Sequence, residues 1–594
     1  MITVQALYLM VVVNAALVLI VTRRLAADVV ALLVLLALVL GGVVSTRDAL
    51  AGFSSPVVLT LIGLFIITRA LEETGVIQFL ALQLHRIGGG AEGRMVAVFM
   101  GAGALLSLVM NNVAAGAVLL PAAVRVGQLS KVRLSKLLIP LAFSTLVGGM
   151  ATYLTTANIV MDGLLQTQGL PGIGFVDFAL TGGPIVVVGV VFMLLVGRGW
   201  LPERQSIIQR VTQSDLRATY QLEERMWELR VLPESRLVGM TLGESAIGRE
   251  FGVTVLAIWH GHRAIFSPGP EAVIAAEDYL LVLGREERVA GLIAWGTAFR
   301  KKGEPEHDYS VALTEVIIPP RSAAIGQTLT GLRHRNKYGL TAVALWRGGR
   351  SYRTDVGKFV LQVGDALLMV GPRKAVKRLA AEKDYLVLGN GVDDGAELTQ
   401  RAGWAVVITT IVIVLSVLGT LPLPIVMLGG AAALMVAGCV NTEAVYRLVE
   451  WRVIFLIAGM LPVSVGVIST GLGGVVGSSI TAVLTEFGPL ALIAGMFLLT
   501  MAVTQVIGGQ IAALVVGPIA LSAALAEGVN PQAMAVTVAV ACSAAFLTPL
   551  AHPVNLLMMG PGGYRFEDFF KVGLGMTVVT LATLLVMMVV VWGI

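Results

Sequence analysis

The chain has 594 residues, 56% of them hydrophobic and only 13% charged, with a mean hydropathy of +0.86. Soluble globular chains are about 45–50% apolar and about 25% charged, which excludes a water-soluble protein for most of this length. The net charge is +5 and the two cysteines, Cys439 and Cys542, lie in apolar runs. That excludes a disulfide scaffold and a cysteine-ligated cluster, and no basic tract interleaved with aromatics points to nucleic acid.

Residues 198–401 hold 52 of the 79 Lys, Arg, Asp and Glu residues, so two apolar blocks flank one soluble insert. In the first block the apolar runs are 4–22, 26–44, 55–73, 94–128, 135–165 and 183–197. A membrane-crossing helix needs about 20 mostly apolar residues. The first run passes into a second without a cleavage site, as a retained span does and a signal peptide does not. The run 94–128 is too long for one helix and carries Asn111-Asn112 near its middle. A turn at membrane depth must be enclosed by protein, so this run predicts a re-entrant hairpin with its tip at that pair. Thr155-Thr156-Ala157-Asn158 interrupts 135–165 and predicts a broken helix. Asp162 follows Asn158 by four residues, on the same helical face; it is a candidate sodium- or proton-linked carboxylate, or else a helix-end charge that snorkels or pairs.

The insert repeats itself at an offset of 87. Pro233, Gly239, Thr241, Leu242, Gly252, Thr254, Trp259, Gly261, Arg263, Asp278 and Gly284 recur as Pro320, Gly326, Thr328, Leu329, Gly339, Thr341, Trp346, Gly348, Arg350, Asp365 and Gly371. Each copy reads strand, turn, short helix, hairpin and final strand, giving two small α/β domains at 218–298 and 306–384, with linkers 198–217 and 385–401. His260 and His262 alternate on a strand, but the second copy has Arg347 and Gly349 there, which fits a solvated face better than a metal site. No Walker or dinucleotide fingerprint sits in a strand-turn-helix context. Arg263 and Arg350, at equivalent hairpin ends, are candidates for a cytosolic anionic ligand such as a cyclic dinucleotide; the alternative is a pair of solvated hairpin charges. Regulation, not catalysis, is the expectation for the insert.

The second block offers 402–420, 423–440, 451–470, 488–526, 531–560 and 572–593. Gly508-Gly509-Gln510 at the centre of 488–526 predicts a second hairpin, and the polar stretch from Thr548-Pro549 to Asn555 a second broken helix. The blocks align: Thr46, Gly63 and Gly75 match Thr442, Gly459 and Gly471 at an offset of 396, and Pro121 and Asn158 match Pro518 and Asn555 at 397. Five spans and one hairpin in each of 1–197 and 402–594 make the two repeats inverted, because an odd span count turns the second upside down. With the N-terminus outside, the loop residues Arg23, Arg24, Arg86, Arg94, Arg125, Lys131, Arg133, Lys136, Arg198, Arg447, Arg452, Arg565 and Lys571 fall inside and Arg47 alone outside. The positive-inside rule then predicts ten spans and two hairpins, both termini extracytoplasmic and the insert cytoplasmic. Segments 76–90 and 472–486 are amphipathic enough to lie along the interface as linking arms.

Two stretches carry a family resemblance over nearly the whole chain. They are Leu547-Thr548-Pro549-Leu550-Ala551-His552-Pro553-Val554-Asn555, followed by Gly560-Pro561-Gly562-Gly563-Tyr564-Arg565, and its first-half counterpart Gly148-Gly149-Met150-Ala151-Thr152-Tyr153-Leu154-Thr155-Thr156-Ala157-Asn158. With them the chain resembles the divalent-anion/sodium symporters of the ion-transporter superfamily, in the branch of bacterial sulfate/dicarboxylate permeases that carry two TrkA-C (RCK-C) domains between their halves. The resemblance implies sodium-coupled symport of sulfate or a dicarboxylate by an elevator motion. It also implies a homodimer in a bacterial-type inner membrane, in contact with its lipid, with no organic cofactor and no enzyme activity. Family tips carry a Ser-Asn-Thr-like motif that meets the broken-helix loop of the same half. By that match the anion falls to Asn111, Asn112, Val113, Thr156, Gly509, Gln510, Thr548, His552 and Pro553, and sodium to Asn112, Thr155 and Asn158 in one half and Gly508, Gly509 and Asn555 in the other. The chain departs from the pattern at Val113, which lacks a hydroxyl, at the whole second tip, and at Ala551 in place of a glycine. Glycine carbonyls still ligate a hard cation. Arg69 is the clearest base within a span, so bound cations and helix N-termini must supply the positive potential for an anion. Other function classes are a proton-coupled or exchanging carrier and a ligand-gated channel or transceptor; no Thr-Val-Gly-Tyr-Gly filter favours a potassium channel.

Overall fold

The computed structural model describes residues 3–22, 24–77, 79, 92–130, 132–203, 226–261, 263–299, 311–320, 322–347, 350–352, 356–380, 382, 384–388, 400–441, 449–475, 477 and 488–594. The arms at 76–90 and 472–486 and both linkers lie largely outside them.

Among the described residues, each apolar block has eight main helices, in matching order. The first has α1 (Val4–Val21), α2 (Ala27–Leu40), α3 (Pro56–Glu73), α4 (Glu92–Ser107), α5 (Asn112–Ser130), α6 (Leu138–Met150), α7 (Thr156–Thr167) and α8 (Phe175–Phe192). The second has α9 (Ala402–Leu418), α10 (Leu423–Val436), α11 (Trp451–Ser469), α12 (Pro489–Ile507), α13 (Gly509–Ala526), α14 (Pro531–Ser543), α15 (Pro553–Gly562) and α16 (Phe566–Trp592). Local chemistry sets several starts: the hydroxyls of Thr3 and Ser55 cap α1 and α3, and prolines open α3, α12, α14 and α15, where the missing N–H costs nothing. Seven helices among the described residues are long and apolar enough to cross a membrane, α12 and α13 among them. The chain is a helical, multi-pass membrane protein.

The long runs break where polar residues interrupt them. The run 94–128 divides at 108–111 into α4 and α5, 135–165 at 151–155 into α6 and α7, 488–526 at Gly508 into α12 and α13, and 531–560 at 544–552 into α14 and α15. Helices α4 to α8 and α12 to α16 pack mainly on one another, α4 on α6, α12 on α14 and α8 on α16; the others form a second group through α2 on α11 and α3 on α10. This second group joins the two blocks by a reciprocal contact. A Cβ on Gly63 would meet the Met427 backbone at 2.7 Å, and one on Gly459 would meet the Ala31 backbone at 2.9 Å. Residues 31 and 427 differ by the same 396 as 63 and 459. Close helix approach at both crossings therefore requires these two glycines, which is why the sequences repeat there.

At one end of the bundle, Lys136 is buried and its Nζ donates to the carbonyls of Arg198 and Leu201 at 3.1 and 2.9 Å, while Arg133 pairs with Glu203 at 2.5 Å. The end of α8 is thereby tied to the start of α6. Arg69, the clearest base within a span, pairs with Glu72 at 2.6 Å and Glu73 at 3.2 Å at the end of α3.

The insert forms two antiparallel five-stranded sheets. One contains β1 (Met226–Val231), β2 (Thr254–His260), β3 (Arg263–Phe266), β4 (Tyr279–Leu283) and β5 (Thr297–Phe299), in the order β3-β2-β4-β1-β5. The other contains β6 (Val311–Ile317), β7 (Thr341–Arg347), β8 (Arg350–Tyr352), β9 (Ala366–Pro372) and β10 (Leu386–Leu388), in the order β8-β7-β9-β6-β10. The orders are identical, and each sheet has a register shift at the same repeat position, Val255/Ala257 and Ala342/Ala344. Edge strands β5 and β10 are additions to the sequence reading, and β10 lies beyond residue 384. The sheets share a buried layer of Leu256, Trp259, Leu281, Val343, Leu368 and Val370. Across the two copies, Arg335 donates to the Val255 carbonyl at 2.5 Å and Thr341 to Ser267 at 2.8 Å.

Candidate functional site

The four half-helices α5, α7, α13 and α15 begin at Asn112, Thr156, Gly509 and Pro553. Free backbone N–H groups at such starts carry partial positive charge. The residues expected to bind ions lie at these starts or in the turns before them.

In the first half, the Asn111 side chain accepts from the Val113 N–H at 2.8 Å, turning the chain into α5, and Ser107 Oγ donates to Asn112 Oδ1 at 2.5 Å. Asn112 sits against the end of α6, where a Cβ on Gly149 would lie 2.8 Å from Asn112 Oδ1. The freed Gly149 carbonyl accepts from both Thr155 Oγ1 and Asn158 Nδ2 at 3.1 Å, and the same Asn158 amide donates to the Thr152 carbonyl at 2.5 Å. Thr152 Oγ1 donates to the Leu108 carbonyl at 2.8 Å, tying the break to the hairpin tip. Asn112, Thr155 and Asn158 thus meet around Gly149. Asn158 is fully buried, and its Oδ1 has no hydrogen-bond partner.

In the second half, Asn555 Nδ2 donates to the carbonyls of Ala545 at 2.7 Å and Thr548 at 3.3 Å, and the buried Asn555 Oδ1 is again unpartnered. The break is capped locally: Thr548 Oγ1 accepts from Ala551 N–H at 3.1 Å, and His552 Nδ1 accepts from Val554 N–H at 3.3 Å. With Nδ1 accepting, the neutral ring carries its proton on Nε2 and presents a donor. The tip is glycine for steric reasons. Gly508 has φ +81°, and a Cβ on Gly509 would run into the Cys542 carbonyl. The buried Thr504 hydroxyl has only the weakly polar Cys542 thiol beside it.

Ser107 and Thr504 were missed by sequence reasoning, although they match at the same offset of 397 as the two asparagines. Gln505 was missed too: its side chain accepts from Thr548 N–H at 3.3 Å and donates to the Ala544 carbonyl at 3.0 Å. The halves interlock where α5 meets α15, Gly116 lying under Val554, and where α13 meets α7, Gly517 lying under Met161 and Leu164. Asp162 does not join either cluster. It is held by Tyr153 Oη at 2.5 Å, Gln166 Nε2 at 2.7 Å and Ile173 N–H at 2.6 Å, which closes the turn after α7. Val113 and Gln510 are half-buried in the first turns of α5 and α13.

In the insert, Asp278 and Asp365 occupy one repeat position and receive different partners. His260 Nδ1 lies 2.7 Å from Asp278, whereas Arg347 grips Asp365 with two bonds at 2.7 and 2.5 Å. Arg350 is exposed beside Arg347 at its hairpin end; Arg263 heads β3, and its side chain lies outside the described residues. The β-turn at Gly364 reaches the membrane block: a Cβ there would lie 2.5 Å from the Leu556 carbonyl, and one on Gly560 would meet the Gly364 carbonyl. The insert therefore touches α15, the half-helix that carries Asn555.

A family model described as citrate transporter (CitMHS) matches residues 17–541. Uncharacterized transporter sll0640 of Synechocystis sp. is 32% identical over 588 residues, 97% of this chain and 95% of that one. Uncharacterized transporter YfbS of Escherichia coli is 29% identical over 595 residues, 96% of this chain and 97% of that one. Sodium/sulfate cotransporter 2 of Chlamydomonas reinhardtii is 26% identical over 387 residues, 60% of this chain and 42% of its own length.

Proposed function

The chain belongs to the citrate transporter family CitMHS and is a membrane transporter, and from that premise we propose that it is a sodium-coupled symporter of a divalent anion, of the sulfate or C4-dicarboxylate type. One observation carries the proposal: Asn158 and Asn555, matched between the halves, each hold a buried, unpartnered carbonyl oxygen beside a half-helix start. A buried acceptor without a donor costs roughly 1–3 kcal/mol, and a hard monovalent cation meets that need. Asn112, Thr155 and Asn158 would hold one sodium ion; Asn555 with carbonyls of the Gly508-Gly509 tip would hold another. Sodium then supplies the charge that the site lacks, so anion and cation bind mutually. The anion lies among the N–H groups of Asn111 to Val113, Thr156, Gly509 and Gln510 and the break from Thr548 to Pro553, with His552 as a donor. The sodium/sulfate relative supports this substrate class by its name.

Inverted repeats of five spans and one hairpin, working as an elevator in a homodimer, fit the reciprocal Gly63 and Gly459 crossings and the two helix groups. Both termini are then extracytoplasmic and the insert cytoplasmic. The insert acts as a pair of regulatory TrkA-C domains. A cytosolic ligand at Arg263 and Arg350 would be felt through the Gly364 turn on α15, provided that it binds two transport states unequally. Proton coupling is the second reading, favoured by the second tip, Gly508-Gly509-Gln510, which lacks the side-chain ligands of the first.

The test is uptake by proteoliposomes of labelled sulfate, succinate and citrate, with an imposed sodium or proton gradient. Accumulation of sulfate or succinate driven by sodium is the expected result, and accumulation of citrate alone would replace the substrate class. Accumulation driven by protons alone would replace the coupling ion, and no uptake of any dianion would overturn the substrate class.

A further inference from the structure

We propose that Gln505 is the positioning residue of the second cation site, in place of the side chains that its tip lacks; this rests on the sodium reading above. In the first half, tip and break are joined by the Thr152 hydroxyl donating to the Leu108 carbonyl at 2.8 Å, and Asn112 is braced within the hairpin by Ser107 at 2.5 Å. The second half has neither device. Gly509 stands where Asn112 does and has no side chain, so the Thr504 hydroxyl, the match of Ser107, has no asparagine to brace.

Gln505 stands at the position of Leu108, 397 residues on. Its amide makes the same crossing in the opposite sense. Oε1 accepts from the Thr548 N–H at 3.3 Å, and Nε2 donates to the Ala544 carbonyl at 3.0 Å and to the Met501 carbonyl at 3.3 Å. Both partners on the break adjoin the Asn555 cradle, because Asn555 Nδ2 is held by the carbonyls of Ala545 and Thr548. Fixing residues 544 and 548 fixes those two carbonyls and so aims Asn555 Oδ1. Gln505 needs both ends of its amide for this, one donor and one acceptor. It acts through Asn555 and does not itself hold the ion.

The experiment measures uptake by proteoliposomes, at equal pH on both sides, for the wild type, Gln505→Ala and Gln505→Glu. Gln505→Ala is expected to raise the sodium concentration for half-maximal uptake by about 5- to 150-fold, the effect of one lost buried polar contact, with a smaller change in the maximal rate. Gln505→Glu keeps the acceptor but has a donor only when protonated. Its sodium requirement should therefore return toward the wild-type value as the pH is lowered and the carboxyl takes up its proton, a recovery that requires folded protein and that a purely structural role would not produce. Sodium-dependent wild-type uptake with an unchanged sodium requirement in Gln505→Ala, or a pH-independent Gln505→Glu, would overturn the inference. Wild-type uptake indifferent to sodium would instead overturn the coupling ion.

Discussion

Asn158 and Asn555 are held in the same way 397 residues apart. Each donates its amide to two backbone carbonyls in or just before the preceding break, Gly149 and Thr152 in one case and Ala545 and Thr548 in the other. Each leaves its own carbonyl oxygen buried without a partner. A side chain so anchored cannot rotate to relieve the orphan, so the orphan is a property of the site and not of one rotamer. Replacing Asn158 by Ala removes both the anchor and the free oxygen. The sodium concentration for half-maximal uptake should rise by about 5- to 150-fold, and Asn555→Ala should do the same. Sodium titration of uptake checks it, and an unchanged titration in either variant would remove that asparagine from the site.

Gly149 should not tolerate alanine. The new Cβ would stand 2.8 Å from Asn112 Oδ1 and 3.0 Å from Thr155 Cγ2, prising the hairpin tip from the break. Overpacking of this kind costs about 1–3 kcal/mol, enough to abolish uptake without unfolding the protein. Gly101, with nothing within 4 Å of an added Cβ, is the matched control and should accept alanine at wild-type rate. Uptake and detergent-solubilised yield, measured together, separate the two effects.

The Gly364 turn offers a clean separation of backbone strain from docking. Gly364 and Gly326 both have φ +80°, but only Gly364 has the Leu556 carbonyl in reach of a side chain. Valine at either position carries a similar left-handed penalty of about 1–2 kcal/mol. Gly364→Val should also lift the insert from α15, changing the uptake rate and raising amide exchange at residues 553–562. Gly326→Val should change neither. Equal effects from the two would mean that the contact transmits nothing.

His334 makes the insert acid-labile. It is buried against Tyr338 and Tyr385, and burial, only partly offset by the Leu340 backbone, pulls its pKa from 6.5 down to about 4. A depressed folded-state value means that the unfolded chain takes up the proton first. The stabilisation is full above about pH 6.5 and is lost as pH falls toward 4, by up to about 3 kcal/mol. Ile247 holds the equivalent place in the first copy, so His334→Ile should flatten the dependence. Amide exchange of the second sheet in the full chain, followed from pH 7 to 4, measures it.

Much of this architecture was legible because it rests on short-range chemistry. Polar residues within apolar runs mark breaks, since a backbone turn in lipid needs enclosing protein, and the helices do break at 108–111, at 151–155 and at Gly508. Glycines repeated at 396 mark helix crossings, and the offset of 87 gave two sheets of one topology. Strands β5 and β10 escaped notice because three-residue edge strands carry too little periodicity to register. From its helical face Asp162 is either an ion-linked carboxylate or a helix-end charge that pairs, and the turn at Ile173 takes it up with three donors.

The sequence by itself determined the apolar blocks, the breaks, both repeats and the two asparagines, because each depends on residue type and spacing along one chain. Only the tertiary structure decided which polar atoms remain unpaired. Whether Asn158 Oδ1 is orphaned depends on carbonyls six and nine residues away, and whether Thr504 has a group to brace depends on what faces it across a hairpin. Tertiary packing also turned Gln505, an unremarked polar residue near a helix end, into the tie between tip and break. Hydrogen bonds are directional and short, so their pairing follows from where backbones cross, which spacing along the chain does not specify.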